Sequence, residues 1–412
     1  MYSNPTYALI WELGRDVTPY MVDTFKFLRF NVGKQNACSG ITEIKTLFIH
    51  PVGLFCLGSC PYCYENDTKE RPLQLLTTDE TKRKLDIIKS TGKLSKHPVI
   101  RFTGGDPMLH PYLNDIVNVF VDNLDRLTLR WTLDLLVPQN NFDAFINLMN
   151  EQIEKRNVVN HLLAITVDLG SSTRYSRKLG IRRDEVLRRA EFVMETYRDV
   201  PHVCIDLITN FNKETDVPLM LDELEKYRKK NYCRLVVKPV NDELWHPSET
   251  MIDEVVNKLD QKYNLYVVNR KELALETEYS SKYDQFAFDK NLLLELEDGV
   301  YILHPFRQPC TAFNIACGFN QDDFFSCFYG NFRSKDVEDV ITLKETNPQF
   351  AFFAELPNQC LQCDTVGICM RCRRWKVKHK CSEFPYLKRW EHVIWNHLVQ
   401  SKKYWIVQKM IY

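Results

Sequence analysis

The sequence has no excess of charge of either sign. Lys and Arg together number 54, and so do Asp and Glu, so the whole chain has no electrostatic attraction to nucleic acid or to an anionic membrane. No run of about 18 apolar residues occurs, so no membrane-spanning helix is predicted. The first residues lack the basic and apolar regions of a secretory signal peptide. These absences favour a globular cytoplasmic protein that partners neither nucleic acid nor membrane.

Cysteine, in contrast, is abundant and clustered. The chain has 14 cysteines, and without a secretion signal that number favours metal or redox chemistry over a disulfide framework. Three lie within residues 56–63 and eight lie between residues 310 and 381. The isolated Cys38, Cys204 and Cys233 are interpreted as ordinary buried thiols, because free cysteine behaves as a small core residue.

The first cluster has the spacing CxxxCxxC, formed by Cys56, Cys60 and Cys63. Thiolates are soft ligands that suit zinc or an iron–sulfur cluster, and a [4Fe–4S] cluster normally takes four cysteines. Three local cysteines would therefore leave one iron open to a ligand from outside the motif. A zinc site completed by a distant Cys or His, or three incidental thiols, would give the same pattern.

Residues 45–240 repeat the order strand, loop, helix. The strands are mostly apolar runs, which is typical of a parallel sheet buried on both faces. Six such units predict an α/β fold, a partial (β/α)6 TIM-like barrel with its active face formed by the loops after the strands. The predicted strands are 46–50, 99–103, 127–133, 162–167, 203–208 and 234–239, and the predicted helices are 77–90, 107–123, 142–153, 184–197 and 219–229.

The strand–helix rhythm ends after residue 240. A further helix is predicted at 249–263, and a hairpin of residues 292–297 and 300–304 turns at Asp298-Gly299. A domain boundary is placed near residue 285. The predicted organisation is an N-terminal extension over 1–44 with a helix near 21–30, the barrel over 45–285, a cysteine-rich domain over 286–384, and an amphipathic C-terminal helix over 385–412 that docks on the barrel.

Two motifs together carry a family resemblance. The cysteine loop follows the first predicted barrel strand, with the aromatic Tyr62 before its last cysteine, and Gly104-Gly105-Asp106-Pro107 follows the second. This arrangement resembles the radical SAM superfamily, and the resemblance extends over about residues 45–385. It implies that Cys56, Cys60 and Cys63 hold a [4Fe–4S] cluster whose open iron is chelated by S-adenosylmethionine (SAM). Reduction of that cluster would cleave SAM and release a 5′-deoxyadenosyl radical.

The resemblance also implies SAM contacts. Gly104, Gly105 and Asp106 match the family's GGEP motif, which binds the methionine amino group, but Asp replaces Glu and shortens the reach by one methylene. Tyr62 is implied to pack near the adenine.

Further implied contacts follow later strands. Thr166, two residues before Asp168, resembles the Ser of the family's Ser-x-Asp-Gly stretch, although Leu169 stands in place of the Gly. Asn210 is a candidate ribose contact. Arg174 and Arg177 are candidates for pairing with the SAM carboxylate or, equally, solvated side chains.

The second cysteine array resembles the SPASM domain, a C-terminal extension of radical SAM enzymes with two auxiliary [4Fe–4S] clusters. Two tetrathiolate zinc sites would use the same number of ligands. One spacing departs from the usual SPASM pattern, because residues 369–372 form CxxC where CxxxC is common. The resemblance implies three [4Fe–4S] clusters in all, with auxiliary cluster I held by Cys310, Cys317, Cys327 and Cys372, and auxiliary cluster II held by Cys360, Cys363, Cys369 and Cys381.

Enzymes with this extension mostly act on peptides or proteins. The predicted function is oxidative modification of a peptide, a side-chain crosslink in a ribosomally made peptide, with an electron donor such as flavodoxin or ferredoxin. A sulfatase-maturase-like reaction is disfavoured, because Phe328 rather than Asp follows Cys327. Oxidation of a small-molecule alcohol would use the same motifs, and a zinc-binding scaffold without enzymatic activity would use the same cysteines. About 45 residues precede the first strand, too few for a leader-binding domain, so a leader would be read by a separate protein or another surface.

No catalytic acid, base or radical-bearing residue is predicted. Tyr64, Asp322, Asp323 and Tyr329 lie near the motifs and are interpreted as structural or solvated.

Overall fold

A computed structural model describes thirteen stretches of the chain, and the structural statements below concern these residues. They are residues 7–9, 43–58, 60–63, 72–172, 181–240, 244–262, 265–269, 272–275, 293–297, 300–303, 316–326, 333–342 and 406–408.

The centre of the fold is a run of six parallel strands joined by helices, and each predicted barrel strand is present. The strands are β2 (Ile44–Ile49), β3 (Leu94–Phe102), β4 (Leu127–Leu133), β5 (Val158–Val167), β6 (Val203–Phe211) and β7 (Arg234–Pro239). They pair in chain order, β2-β3-β4-β5-β6-β7, and the sheet does not close on itself. The expected partial (β/α)6 TIM-like architecture is confirmed.

The first helix between these strands begins at its predicted cap, whereas the predicted helix 107–123 begins only at Leu113. Thr77 accepts a hydrogen bond from the amide of Glu80, so the capping-box residue begins the first helix as expected. Asp216 caps the fifth helix in the same way through the amide of Leu219. The helices are α1 (Thr78–Ser90), α2 (Leu113–Asn123), α3 (Gln139–Ile153), α4 (Arg183–Tyr197), α5 (Val217–Lys230) and α6 (Glu249–Lys262), and a 3₁₀ turn covers Pro107–Leu109.

The two faces of the sheet differ in burial. Along β4 buried and half-exposed residues alternate: Leu129 and Trp131 are fully buried against the helices, and Arg130 points to the opposite, inner face. Trp131 stacks on Phe102 of β3 with ring centroids 4.5 Å apart. Each such buried side chain contributes roughly 2 kcal/mol of hydrophobic stabilisation. The helix side is therefore the core, and the inner face of β4 is partly accessible.

The sheet contains more strands than the sequence predicts. β12 (Ala316–Phe319) pairs parallel with β2, outside the six-strand run, and β9 (Glu272–Leu275) and β8 (Leu265–Asn269) add antiparallel strands beyond β7. The first addition comes from the predicted cysteine-rich region. Local periodicity does not reveal it, because the pairing joins residues about 270 positions apart.

Three short elements follow β12. They are β13 (Phe324–Phe325) and β14 (Arg333–Ser334), which extend the sheet antiparallel beyond β12, and α7 (Val337–Thr342). Lys84 of α1 holds this unit against the barrel: its side chain is 1% exposed, and Nζ donates to the carbonyls of Asn320 at 2.8 Å and Gln321 at 3.2 Å. Burial lowers the pKa of Lys84 despite the neighbouring Glu80 carboxylate.

The predicted hairpin is present and the predicted C-terminal helix is corrected in part. β10 (Leu293–Glu297) and β11 (Val300–Leu303) pair antiparallel. β15 (Ile406–Gln408) pairs antiparallel with β1 (Tyr7–Leu9), so a helix over 385–412 does not run through these three residues. The β-branched Ile406 and Val407 favour a strand over a helix. Residues 385–405 and the predicted helix near 21–30 lie outside the described residues. None of the described helices has the length and apolarity needed to cross a membrane.

Replacing Lys84 with Met is expected to lower the free energy of unfolding by about 2–4 kcal/mol, because buried carbonyls lose their donor. Urea unfolding followed by tryptophan fluorescence measures the change. Lys82 is exposed on the same helix, and Lys82→Met is the matched control with an expected change below about 0.5 kcal/mol. Equal losses in the two variants would contradict the anchoring role of Lys84.

Candidate functional site

The two predicted motifs follow the carboxyl ends of parallel strands: residues 50–63 follow β2 and residues 103–106 follow β3. Asp134, for which no role is predicted from the sequence, follows β4, and Asp168 follows β5. Asn210 is the penultimate residue of β6. Because parallel strands end at one edge of the sheet, these segments share that edge, as expected for a barrel active face.

The cysteine loop carries three half-buried cysteines that form no disulfide, Cys56, Cys60 and Cys63. The amide of Cys63 donates to the carbonyl of Cys60 at 3.2 Å, and the amide of Gly58 donates to Sγ of Cys56 at 3.2 Å. Among the residues that the structure describes, no three Cys, His, Asp or Glu side chains form a group that could hold a metal ion. The three thiols thus share one loop without converging on one point.

The Gly-Gly-Asp segment is joined to this loop by backbone hydrogen bonds. The amide of Gly105 donates to the carbonyl of Gly53 at 2.9 Å, and the amide of Asp106 donates to the carbonyl of Phe55 at 3.0 Å. A Cβ added at Gly105 would lie 1.8 Å from the Phe55 carbonyl oxygen, and Gly104 has a φ of +93°. The two glycines are therefore required by the close approach of the segment to the residues just before Cys56.

Asp106 uses its carboxylate locally. The side chain is 2% exposed, and Oδ1 accepts a hydrogen bond from the amide of Met108 at 3.0 Å, which begins the 3₁₀ turn. Asp106, which is shorter than the Glu usual in the family motif, thus uses one carboxylate oxygen to bind a backbone amide two residues away.

The structure adds Asp134, which the sequence pattern did not identify. The thiol of Cys56 donates to Oδ2 of Asp134 at 2.9 Å, and Oδ1 accepts from the amide of Leu136. Burial, followed by the charges of Asp134 and Asp106, raises the pKa of the Cys56 thiol well above its ordinary value. The available signal was its position, a carboxylate directly after a barrel strand.

Tyr62 lies beside Trp245, which follows β7. The ring centroids are 6.2 Å apart in an edge-to-face arrangement, and Nζ of Lys213 lies 5.0 Å from the Trp245 ring. The contact joins the loop of the first barrel strand to the loop of the sixth, as a curved partial barrel requires. The adenine contact implied for Tyr62 stays a prediction.

The segment after β5 has Leu169 where the family motif has Gly, and the structure shows why. Leu169 is fully buried in the core, and the next residue, Gly170, has a φ of +68° and accommodates the turn. Asp168 is fully buried, and Nδ2 of Asn210 donates to its Oδ1 at 3.4 Å. Thr166 lies half-exposed in register with Ile208.

The remaining predicted ligands are mostly outside the described residues, including Arg174 and Arg177. Tyr64 and Tyr329, interpreted as structural or solvated, also lie outside them. Cys317 is described: it is fully buried in β12 in register with Leu47, and burial raises the pKa of its thiol to about 12. Its ligand role stays a prediction, as do those of Cys310, Cys327, Cys360, Cys363, Cys369, Cys372 and Cys381.

Asp322 and Asp323 have the structural role that the sequence favours. Oδ2 of Asp322 accepts from Gln74 at 2.7 Å, and Oδ1 of Asp323 pairs with Lys335 at 3.0 Å. Both contacts fix the turn between β12 and β13.

Replacing Gly105 with Ala is expected to separate the Gly-Gly-Asp segment from the cysteine loop, because the new methyl overlaps backbone. We expect the free energy of unfolding to fall by about 3 kcal/mol, measured by urea unfolding. Gly92→Ala is the control: its Cβ position is open, so only the left-handed backbone costs about 1 kcal/mol. A Gly105→Ala protein as stable as this control would contradict the packing argument.

Comparisons with known proteins agree with this arrangement. Residues 51–224 match the family model Radical_SAM, the Radical SAM superfamily. No curated protein matches the sequence. One similar solved structure is Streptococcus suis SuiB bound to precursor peptide SuiA, with 13% identity and a TM-score of 0.50, covering 93% of this chain and 82% of that chain.

A second similar structure is native anSMEcpe with bound AdoMet, with 13% identity and a TM-score of 0.55, covering 86% of this chain and 97% of that chain. The same protein with AdoMet and the Cp18Cys peptide matches at 14% identity and a TM-score of 0.53, over the same shares of the two chains. At these identities the likeness concerns the fold. The family match identifies residues 51–224 as a segment of the Radical SAM type, and the contacts between the two motifs agree with that match.

Proposed function

We propose that this chain reductively cleaves SAM and uses the resulting radical to modify a peptide oxidatively. The observation that carries the proposal is the backbone contact between the Gly104–Asp106 segment and the residues just before Cys56. It joins the two motifs that a radical SAM enzyme needs, at the carboxyl end of a parallel sheet.

The family implies SAM and a [4Fe–4S] cluster, and the residues present fit that pair. Three thiols on one loop are the donor set for a cluster with one open iron. Cys56, Cys60 and Cys63 would hold the cluster, once their thiols turn toward one centre. The bound cluster and SAM would supply a 5′-deoxyadenosyl radical.

The chain's own residues would orient SAM and exclude water. Tyr62 and Trp245 offer aromatic surface for the adenine, and the hydroxyl of Thr166 and the amide of Asn210 lie at the same edge of the sheet. Gly104 and Gly105 bring backbone close to the cysteine loop, where the methionine part would lie. Arg177 is a further proposed contact for the SAM carboxylate.

A peptide substrate is favoured by the two structural relatives. SuiB was solved with the precursor peptide SuiA and anSMEcpe with the Cp18Cys peptide, and this chain covers 82% and 97% of those two proteins. We propose a side-chain crosslink in a ribosomally made peptide as the product. An electron donor such as flavodoxin or ferredoxin and, for a peptide with a leader, a separate leader-binding protein complete the proposal.

We further propose that the cysteine-rich region over 286–384 is a SPASM domain with two auxiliary [4Fe–4S] clusters. The pairing of β12 with β2 supports a close connection, because it places Cys317 beside the strand that leads into the Cys56 loop. Clusters with four protein ligands have no open iron that could bind the substrate. Their proposed role is therefore to accept one electron from the substrate radical.

Anaerobic reconstitution tests the proposed function. The protein is expected to be brown, to contain about 12 iron atoms in three clusters of four, and to release 5′-deoxyadenosine from SAM with dithionite. Cys60→Ala is expected to lose about four iron atoms and all cleavage. A co-expressed candidate peptide should lose two hydrogens by mass spectrometry, without new free or dissociable thiols. Colourless protein with two zinc ions and no cleavage would contradict the proposal and favour the zinc scaffold.

Asp134→Asn is expected to make the reduction potential of the first cluster less negative, by on the order of tens of millivolts. The change removes a negative charge 2.9 Å from a proposed ligand sulfur. A redox titration followed by EPR measures it. Asp122 is exposed near the end of α2, and Asp122→Asn is the matched control. A potential equal in both variants would show that Asp134 does not act on the cluster.

A further inference from the structure

Arg189 of α4 is a buried cation beside the loop that follows β4, here called the β4 loop (residues 134–137). Its side chain is 4% exposed. Nη1 donates to two backbone carbonyls of the β4 loop, that of Leu135 at 3.0 Å and that of Val137 at 2.6 Å. The guanidinium carbon lies 5.2 Å from the ring centroid of Phe142. A single side chain thus ties α4 to the β4 loop.

The other nitrogens of the guanidinium group fix the direction of the side chain. Nε of Arg189 donates to Oε1 of Glu185, one turn earlier on α4, at 2.9 Å. Nη2 donates to Oε1 of Gln139, the first residue of α3, at 3.0 Å. Every nitrogen of the group therefore has an acceptor, and the rigid planar fork of arginine reaches all of them at once.

The β4 loop has an unfavourable backbone conformation. Leu135 has a φ of +60°, in the left-handed region that a residue with a Cβ adopts only at a cost in free energy. The side chains of Leu135, Leu136 and Val137 are fully buried. A residue in this region persists only where its surroundings over-determine it, and such residues cluster at functional sites. The burial of these side chains and the two carbonyl contacts of Arg189 supply that constraint.

The β4 loop also contacts the cysteine loop. Oδ2 of Asp134 accepts from the thiol of Cys56 at 2.9 Å, and Oδ1 accepts from the amide of Leu136 at 2.9 Å. A Cβ added at Gly58 would lie 3.2 Å from Cδ1 of Leu136 and 3.3 Å from Oδ2 of Asp134. The two carbonyls that Arg189 binds flank Leu136 in sequence, so release of the β4 loop would allow Asp134 to move away from Cys56.

We propose that Arg189 is a positioning residue, which holds the β4 loop in its strained backbone so that the Asp134 carboxylate meets Cys56. Residues of a site are held most precisely when hydrogen bonds from packed neighbours lock their supporting segments. The inference rests on the proposed function for the role of Cys56 as a cluster ligand. It deepens that function by naming the residue that sets the position of a negative charge beside the first cluster.

A redox titration of the reconstituted enzyme, followed by EPR, tests the proposal. The signal of the first cluster is distinguished by its response to SAM. The quantity compared is the shift in reduction potential that Asp134→Asn causes in the unaltered chain and in the Arg189→Met background. If Arg189 acts through Asp134, this shift is expected to be at least about twofold smaller in Arg189→Met, because the two changes then disrupt one contact. A direct effect of the lost positive charge is present with either residue at position 134 and cancels.

Arg188 provides the matched control. It is the exposed neighbour of Arg189 on α4 and makes two hydrogen bonds to the same Glu185. Arg188→Met removes an arginine and an ion pair, so the shift caused by Asp134→Asn is expected to stay unchanged. Arg189→Lys is expected to retain part of the shift, because Lys keeps the charge without the fork. If Arg189→Met does not fold, Arg189→Lys replaces it in the comparison.

Hydrogen exchange of the Leu136 amide, measured on the full metal-free chain relative to the Leu129 amide of β4, tests the same contact without a cluster. It is expected to be about tenfold faster in Arg189→Met than in Arg188→Met, because the amide loses its fixed acceptor on Asp134. Equal relative exchange in the two variants, or an undiminished Asp134→Asn shift, would overturn the inference. A chain that binds no iron would contradict the proposed function instead, and the exchange rates would still decide the role of Arg189.

Discussion

The carbonyl oxygens of Gly53 and Phe55 accept hydrogen bonds from the amides of Gly105 and Asp106, and the geometry of the site depends on this contact. Two loops from neighbouring strands are held together before any side chain takes part. Because these bonds use only backbone atoms, the two glycines set the distance between the two loops. The side chains of the cysteine loop take no part in this contact. The position of Cys56 relative to Asp106 and Asp134 follows from that distance.

The two faces of the sheet have different roles. Its helix-facing side carries the large apolar residues, such as Trp131 and Phe102, and supplies the rigidity that a site on loops needs. Its inner side carries a charged residue on several of the strands, including Arg101 on β3, Arg130 on β4 and Asp206 on β6. Polar groups on a sheet face that a TIM-like barrel keeps internal must be balanced by partners or by a ligand, and the pair of Arg234 and Asp206 is balanced by itself.

The sequence predicted the local features of the fold and missed the non-local ones. The six strands, the Thr77 cap and the hairpin follow from short-range patterns and are present. The pairing of β12 with β2 depends on contacts between residues about 270 positions apart, which no periodicity encodes. At the site, the motif spacing located Cys56 and Gly105. Asp134 was missed because a single carboxylate after a strand has no spacing to recognise, and its role appears only through its distance to Cys56.

The pairing of β12 with β2 also has a consequence for synthesis. The outer edge of β2 finds its partner only after the ribosome has added residues up to 319. At about 5–20 residues per second this delay is on the order of ten seconds or more. During that time the edge presents unpaired backbone groups, which can pair with a strand of another chain. The barrel domain of this protein is therefore completed by the region that follows it, and its co-translational folding calls for protection of that edge.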